Sequence, residues 1–152
     1  MIIISNVTEE DLQRVYEIEL ESFEEPYSYS LLKAYYFLSK ELFLVAKNGN
    51  EVIGYSLGIV QYGYRGHVVS IAVRKDYRKK GIGIMLLKEL EKRFIEFNCT
   101  YSYLEVNYKN IPAISFYNKL GYFVVKFQKN YYGRGKHAFI MVKSFLDGKA
   151  FE

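Results

Sequence analysis

The chain is short of cysteine and histidine, contains no tryptophan and lacks any long hydrophobic run. The single cysteine, Cys99, excludes an intrachain disulfide and indicates a reducing compartment. With only two histidines, His67 and His137, a cysteine–histidine catalytic pair has few possible bases. We therefore predict that Cys99 packs in the core and that the fold does not depend on disulfides.

No apolar stretch approaches the ~18 residues of a membrane-spanning helix, and the apolar run at residues 1–4 is far shorter than a signal-peptide core. We expect a cytoplasmic protein with no membrane partner. A chain of 152 residues with 50% hydrophobic content is long enough for one domain with a substantial core and too short for two ordinary ones. The prediction is a single domain that spans residues 1–152.

Aromatic residues are abundant, with 16 tyrosines and 11 phenylalanines. So many tyrosines must include rings that are buried while the hydroxyl group finds a hydrogen-bond partner, and some can line a cleft. The order of predicted elements is β-α-α-β-β-β-α-β-α-β-β, which is typical of one α/β domain with a mixed sheet. Strands are predicted at 2–5, 42–47, 52–61, 67–73, 103–108, 122–129 and 137–145, and helices at 12–23, 31–38, 84–97 and between 110 and 121.

A basic glycine turn, Arg78-Lys79-Lys80-Gly81-Ile82-Gly83, stands between a predicted strand and a predicted helix. Glycines let backbone N–H groups approach phosphate oxygens, and a helix start adds unpaired donors and the positive end of a dipole. The turn lacks the Gly-Lys-Ser/Thr of a P-loop and the leading glycine of the dinucleotide fingerprint. It therefore predicts a pyrophosphate site of another kind, or, on these residues alone, a surface turn with solvated charges.

The net charge of +4 is modest, but five of the seven residues from Arg74 to Lys80 are basic, so the positive field is local. A short basic run that ends in glycines suits one compact polyanion better than a long nucleic-acid groove. We expect no specific nucleic-acid binding.

A second cluster runs from Leu104 to Tyr117 and is followed by Leu120-Gly121-Tyr122. Together with His67–Val73 and the glycine turn, it resembles the GNAT acetyltransferases, and within them the protein N-terminal acetyltransferases of the RimI and archaeal Ard1 type. The resemblance covers nearly the whole chain. It implies an α/β fold with a GNAT-like mixed, mostly antiparallel central sheet of about seven strands, flanked by about four helices.

The resemblance implies that acetyl-CoA is the co-substrate and that no metal is required. Main-chain groups of the strand at Ile71–Val73 would contact the pantetheine arm, and the glycine turn would hold the pyrophosphate. The Asn110 amide would contact coenzyme A while it caps a helix. The implied cofactor-binding residues are Ile71, Ala72, Val73, Arg78, Lys79, Lys80, Gly81, Ile82, Gly83, Ile84, Asn110 and Tyr117.

The resemblance also implies two catalytic residues. Glu105 matches the general base, acting directly or through a water, and Tyr117 matches the acid that protonates the departing thiolate. A strand carboxylate between Leu104 and Val106 points to the opposite face from them and could enter a cleft. From pattern alone, a solvent-facing or ion-paired Glu105 and a core Tyr117 remain open. His67 matches a position that some archaeal relatives share, and we assign it no catalytic role.

The implied acceptor is the α-amine of a protein N-terminus, which attacks the thioester directly in a ternary complex. Its first residues would contact Glu25, Tyr27, Tyr131 and Tyr132. A backbone amine with a pKa near ~7.9 is easier to deprotonate than a lysine near ~10.4, by about 3.4 kcal/mol. A site with one recognisable base therefore suits the α-amine, and ribosome-associated nascent chains become candidate partners.

Two alternatives remain open. One is an acetyltransferase that acts on internal lysines of a cytoplasmic or chromatin protein, and the other is a CoA- or nucleic-acid-binding module without turnover. Asn107 replaces the arginine usual after Leu-Glu-Val in the family, and Lys136-His137 stands where relatives often carry two acidic residues. These departures affect the acceptor half of the interpretation and leave the acetyl-CoA half intact.

Overall fold

The structure, a computed structural model, describes residues 1–146. These residues contain seven strands and four α-helices, together with short 3-10 turns and loops. The strands are β1 Ile2–Asn6, β2 Phe43–Asn48, β3 Glu51–Gln61, β4 Arg65–Val73, β5 Tyr101–Asn107, β6 Phe123–Gly133 and β7 Lys136–Ser144. The helices are α1 Leu12–Ser22, α2 Tyr29–Leu38, α3 Ile82–Glu96 and α4 Ile111–Lys119.

The strands follow the order β1-β2-β3-β4-β5-β7-β6. The pairs β1–β2, β2–β3, β5–β7 and β6–β7 are antiparallel, whereas β4 and β5 run parallel where His67 lies opposite Tyr103. The predicted mixed, mostly antiparallel sheet with about seven strands and four helices is confirmed.

The described residues form two compact units. The first contains Met1–Ile59 and Val68–Phe97, and the second contains Val60–His67 and residues 98–146. In the first unit, α1 buries Leu12, Val15 and Ile18 at helical spacing in a core that also contains apolar residues of β2 and β3.

Helix α3 packs closely on β3 within the first unit. A Cβ atom at Gly58 would lie 2.6 Å from Cζ of Phe94 and 2.9 Å from Cδ1 of Leu90, which no side chain tolerates. Gly58 therefore lets the helix approach the strand. The helix begins at Ile82, two residues before the predicted start, because Gly81 serves as its N-cap.

The second unit has β7 between β5 and β6, with α4 in the connection that leads from β5 to β6. Leu104 and Val106 of β5 are buried, and the buried Tyr122 hydroxyl donates to Ser102 Oγ at 2.8 Å. Tyr122 and Tyr55 are fully buried rings with partnered hydroxyls, as the abundance of tyrosine predicted. Strand β6 extends to Gly133, past its predicted end at residue 129.

The helical spacing in the sequence predicts that Leu20, Phe23, Ile84 and Phe97 lie on apolar helix faces, but these four residues are exposed, at 47%, 37%, 38% and 43%. Leu20 follows the buried Ile18 by two residues, which places it on the opposite side of α1. Phe23 and Phe97 are the capping residues after α1 and α3, where the helical periodicity ends.

Candidate active site

The turn before α3 is an open arc of backbone. Lys79 and Gly81 have positive φ angles of 62° and 82°, and nothing lies within 4 Å of a Cβ built on Gly81. The N–H of Met85 donates to the Gly81 carbonyl at 3.1 Å, so the N–H groups before it belong to the first helical turn, where donors lack helical acceptors. The conformation, the free space and the donors fit a phosphate group.

The basic side chains of this turn divide into two kinds. Nε of Arg78 donates to the Val73 carbonyl at 2.9 Å, and its Nη2 donates to Ser22 Oγ at 3.2 Å. Arg78 therefore ties the turn to the end of β4 and to the end of α1. Lys79 and Lys80 are exposed, with Lys80 Nζ 5.3 Å from the centre of the Tyr77 ring.

A buried carboxylate organises the first unit behind the α1–α2 connection. Glu19 is 1% exposed, and its Oε1 accepts hydrogen bonds from the Tyr55 hydroxyl and from Ser70 Oγ, the latter at 2.9 Å. Its Oε2 accepts from the N–H of Tyr27 at 2.9 Å. Burial, with the neighbouring Glu19, raises the pKa of Tyr55 well above its usual value. Glu19 thus joins α1, β3 and β4 to the connection that carries Tyr27.

The predicted acceptor residues Glu25 and Tyr27 lie in this α1–α2 connection. Glu25 is exposed, whereas Tyr27 is half-buried and packs edge-on against Tyr35 with ring centres 6.4 Å apart. The sequence analysis missed Glu19, although a signal was present. Glu19 follows Leu12 by seven residues, so a charged side chain occupies the apolar face of α1.

In the second unit, β4 and β5 bring a histidine to the predicted base. His67 Nε2 lies 2.8 Å from Glu105 Oε1, and the two side chains are 15% and 11% exposed. Burial, with the charge of the neighbouring Glu105, raises the pKa of Tyr103. Glu105 is therefore a half-buried carboxylate with a hydrogen-bonded histidine, a contact that the sequence analysis did not predict.

Tyr117 of α4 is buried, with 9% of its surface exposed. Its ring packs edge-on against Phe116 and Tyr122 at centre distances of 5.2 and 5.7 Å. Burial, and to a lesser extent Tyr132, raises the pKa of Tyr117, so the phenol stays protonated throughout the neutral range. The predicted acid is thus a core aromatic whose hydroxyl group is protonated at neutral pH and is a weaker acid than a solvent-exposed phenol.

Asn110 caps α4 as predicted, because its Oδ1 accepts from the N–H of Ala113 at 3.2 Å. The side chain is exposed, and its amide donors point away from the cap bond. Asn107 Oδ1 accepts from the N–H of Lys109 at 2.9 Å, so the residue that replaces the family's arginine shapes the turn into the helix.

The remaining predicted acceptor residues, Tyr131 and Tyr132, pack edge-on near the end of β6 with ring centres 4.9 Å apart. The turn beside them is fixed by polar contacts. His137 Nδ1 accepts from the N–H of Asn130 at 2.8 Å, and Asn130 Oδ1 accepts from the N–H of Gly135 at 2.8 Å.

Residues 1–146 contain no group of three or more histidine, cysteine, aspartate or glutamate side chains that could hold a metal ion. In the same part of the chain, no helix is long and apolar enough to cross a membrane. Cys99 is buried, and burial raises the pKa of its thiol, in agreement with the predicted packing role.

A profile of the acetyltransferase (GNAT) family matches residues 12–122. This match covers well over half of the chain and runs through both units. The chain belongs to the GNAT acetyltransferase family.

Two relatives extend along almost the entire chain. An uncharacterized N-acetyltransferase of Methanocaldococcus jannaschii is 40% identical over 148 residues, which cover 97% of this chain and 94% of the relative. An N-alpha-acetyltransferase of Sulfurisphaera tokodaii is 35% identical over 150 residues, covering 91% of this chain and 90% of the relative.

Solved structures share the fold over a similar extent. Ard1 from Thermoplasma volcanium superposes with a TM-score of 0.92 at 27% identity, covering 96% of this chain and 99% of that one. Naa20 of Chaetomium thermophilum, solved in complex with a bisubstrate analogue, has a TM-score of 0.85 at 28% identity and covers 93% and 86%.

The raised pKa of Tyr117 predicts a loss of stability at alkaline pH. Because the folded pKa exceeds the unfolded value near ~10, this residue's contribution is complete below pH ~10 and is lost as the pH rises above it, at about 1.4 kcal/mol per pH unit. We expect the free energy of unfolding, measured in urea between pH ~9 and ~11, to fall less steeply in Tyr117→Phe than in the wild type. Tyr62→Phe, at a ring that is 74% exposed, is the control and should keep the wild-type slope. Equal slopes in all three proteins would contradict the assignment.

Proposed function

We propose that this chain transfers the acetyl group of acetyl-CoA to the α-amino group of protein N-termini, with residues 1–152 acting as one acetyltransferase domain. The observation that carries the proposal is the Glu105 carboxylate, half-buried on a strand of a GNAT fold, with its Oε1 2.8 Å from His67 Nε2. Similarity to proteins named N-alpha-acetyltransferase and Ard1 supports the choice of acceptor.

The turn before α3 is the proposed pyrophosphate site. Its support is the positive φ and open space at Gly81, the unpaired donors at the start of α3, and the exposed charges of Lys79 and Lys80. In this proposal Arg78 shapes the turn through its protein contacts, while the last residues of β4 contact the pantetheine arm and Asn110 contacts coenzyme A through its amide donors. The bisubstrate analogue in the Naa20 structure is consistent with an acyl-CoA co-substrate.

The proposed reaction needs one proton acceptor and one proton donor. Glu105 takes a proton from the acceptor ammonium group, directly or through a water, and the neutral amine attacks the thioester carbonyl. Backbone N–H groups stabilise the oxyanion, the carbon–sulfur bond then breaks, and Tyr117 supplies its proton to the departing thiolate. Burial keeps the Tyr117 phenol protonated at neutral pH, and the same raised pKa makes it a weaker acid, so the transfer depends on the negative charge that develops on the sulfur. No step uses a metal ion.

The enzyme would recognise the acceptor through contacts with the first residues of the acceptor peptide. We assign Glu25 and Tyr27 to this role because Glu19 fixes the backbone that carries them, and Tyr131 and Tyr132 because their rings pack together at a fixed hairpin. Tyrosine rings can clamp an extended peptide through ring contacts and hydroxyl hydrogen bonds. Nascent chains at the ribosome, in the cytoplasm, are the proposed natural acceptors.

The nucleic-acid alternative is weakened by the contacts of the basic run. Arg74 forms ion pairs with Glu51 and Asp76, and Arg78 is bonded to protein groups. The two arginines therefore offer little to a phosphate backbone, and the remaining cations of the run are the exposed Lys75 and the two exposed lysines assigned to the pyrophosphate turn, Lys79 and Lys80.

The acceptor class is tested with paired peptides, one with a free N-terminus and no lysine, the other N-blocked with a single internal lysine. We expect kcat/KM for the first to exceed that for the second by at least ~10-fold, because the α-amine loses its proton more easily. Product analysis by mass spectrometry locates the acetyl group. Equal or inverted efficiencies would replace the N-terminal acceptor with lysine.

The pyrophosphate site is tested with Gly81→Leu. A side chain there would enter the open space of the turn and strain a backbone with φ of 82°, so we expect acetyl-CoA binding measured by calorimetry to be lost. Gly49→Leu is the matched control, since Gly49 has φ of 64° and equally open surroundings in a different turn. Unchanged affinity in a folded Gly81→Leu protein would remove the turn from the proposed site.

A further inference from the structure

In the second unit, three consecutive hydrogen bonds connect Arg65, which lies outside the predicted site, to Glu105. Arg65 Nε lies 2.8 Å from Gln61 Oε1, and Gln61 Nε2 lies 3.3 Å from His67 Nδ1. His67 Nε2 in turn lies 2.8 Å from Glu105 Oε1. Gln61 is the last residue of β3, and Arg65 is the first of β4.

The donor and the acceptor in each of these three hydrogen bonds follow from Arg65. A guanidinium group only donates, so the Gln61 oxygen must face Arg65 and the Gln61 NH₂ group must face His67. That NH₂ group also only donates, so His67 Nδ1 is an unprotonated acceptor. The single proton of the neutral ring is then on Nε2, which donates to the Glu105 carboxylate.

Arg65 is itself held in place by aromatic rings. The Arg65 guanidinium lies 4.1 Å from the centre of the Tyr103 ring and 5.0 Å from that of Tyr62. Cation–π attraction to two rings restrains the position of the guanidinium and so supports its hydrogen bond to Gln61 Oε1. The Gln61 amide therefore has one favoured orientation.

We propose that Gln61 is a positioning residue for acetyl transfer, which holds His67 as the neutral Nε2–H tautomer and thereby keeps Glu105 as the proton acceptor. The inference rests on the proposed function for its catalytic meaning. The hydrogen-bond directions on which it is built are independent of that function.

The Gln61 donor opposes a tendency that Glu105 creates. A carboxylate beside an imidazole favours the charged ring, and an imidazolium would pair with Glu105 and reduce its ability to take a proton from the amine. Protonation of Nδ1 would, however, set its N–H against the Gln61 NH₂ group. Around His67, the titratable and charged side chains of the second unit are Glu105 and Tyr103 from β5 and Arg65 from β4.

The direct test is ¹⁵N NMR of the two histidine side chains. His137→Gln assigns the His67 signals, which is necessary because His137 also accepts a hydrogen bond at Nδ1 and should show the same tautomer. We expect wild-type His67 to be the Nε2–H form at neutral pH. Gln61→Glu places an acceptor opposite Nδ1, so the ring proton should move toward Nδ1 and the Nδ1 signal should shift toward that of a protonated nitrogen. Gln61→Leu removes the donor without adding an acceptor and should shift this signal by a smaller amount.

Gln13→Glu is the control for the added charge, because Gln13 is an exposed residue of α1 in the first unit. It should leave the His67 signals unchanged. The kinetic counterpart is the pH profile of peptide acetylation. We expect Gln61→Glu to lower kcat about 10-fold at pH ~6.5 and much less at pH ~9, where the acceptor α-amine is already neutral and needs no base, with the KM for acetyl-CoA unchanged.

The outcomes separate this inference from the proposed function. A wild-type His67 protonated at Nδ1, an unchanged Nδ1 signal in Gln61→Glu, or a loss of kcat that is equal at every pH would each overturn the role of Gln61. If the NMR results are as expected but the wild type acetylates no peptide N-terminus, the proposed function fails and the catalytic meaning of Gln61 fails with it, although its bond to His67 stands.

Discussion

The constraint on which the proposed site depends is that its proposed base, the half-buried Glu105 carboxylate, must be held in place without losing its basicity. A cationic partner would hold Glu105 firmly but would stabilise its charged form and weaken it as a proton acceptor. The structure has His67 there instead, which can donate a hydrogen bond while neutral. Gln61 extends this arrangement by one more neutral group before the first cation, Arg65, enters the chain of bonds.

The first unit also contains a buried carboxylate, that of Glu19, which has a structural role. Glu19 is almost fully buried, and its oxygens accept hydrogen bonds from Tyr55, Ser70 and the backbone of Tyr27. A buried charge costs free energy unless its hydrogen bonds are satisfied, so this network has few alternative arrangements. The α1–α2 connection is thereby fixed from within, which suits a segment proposed to contact an acceptor peptide.

The sequence predicted most of the fold and the features whose causes are local. The succession of strands and helices along the chain, the glycine turn at Gly81 and the Asn110 cap all depend on residues within a few positions of one another. The sequence analysis missed the two hydrogen-bond networks, one around Glu19 and one around Glu105, because their members are far apart in the chain. Glu19 and Tyr55 are separated by 36 residues, and His67 and Glu105 by 38, so pairing them requires the register of the sheet. The catalytic and binding roles of the individual side chains stay predictions.

The most direct test of the account is the pH dependence of N-terminal peptide acetylation by Glu105→Gln, which keeps an oxygen for His67 but removes the base. If Glu105 accepts the amine proton, turnover should fall roughly 10²-fold at pH ~6.5 and recover substantially at pH ~9.5, where the α-amine is already neutral. Circular dichroism and acetyl-CoA affinity should match the wild type. A loss of turnover by the same factor at every pH would contradict the account and leave Glu105 with a positioning role only.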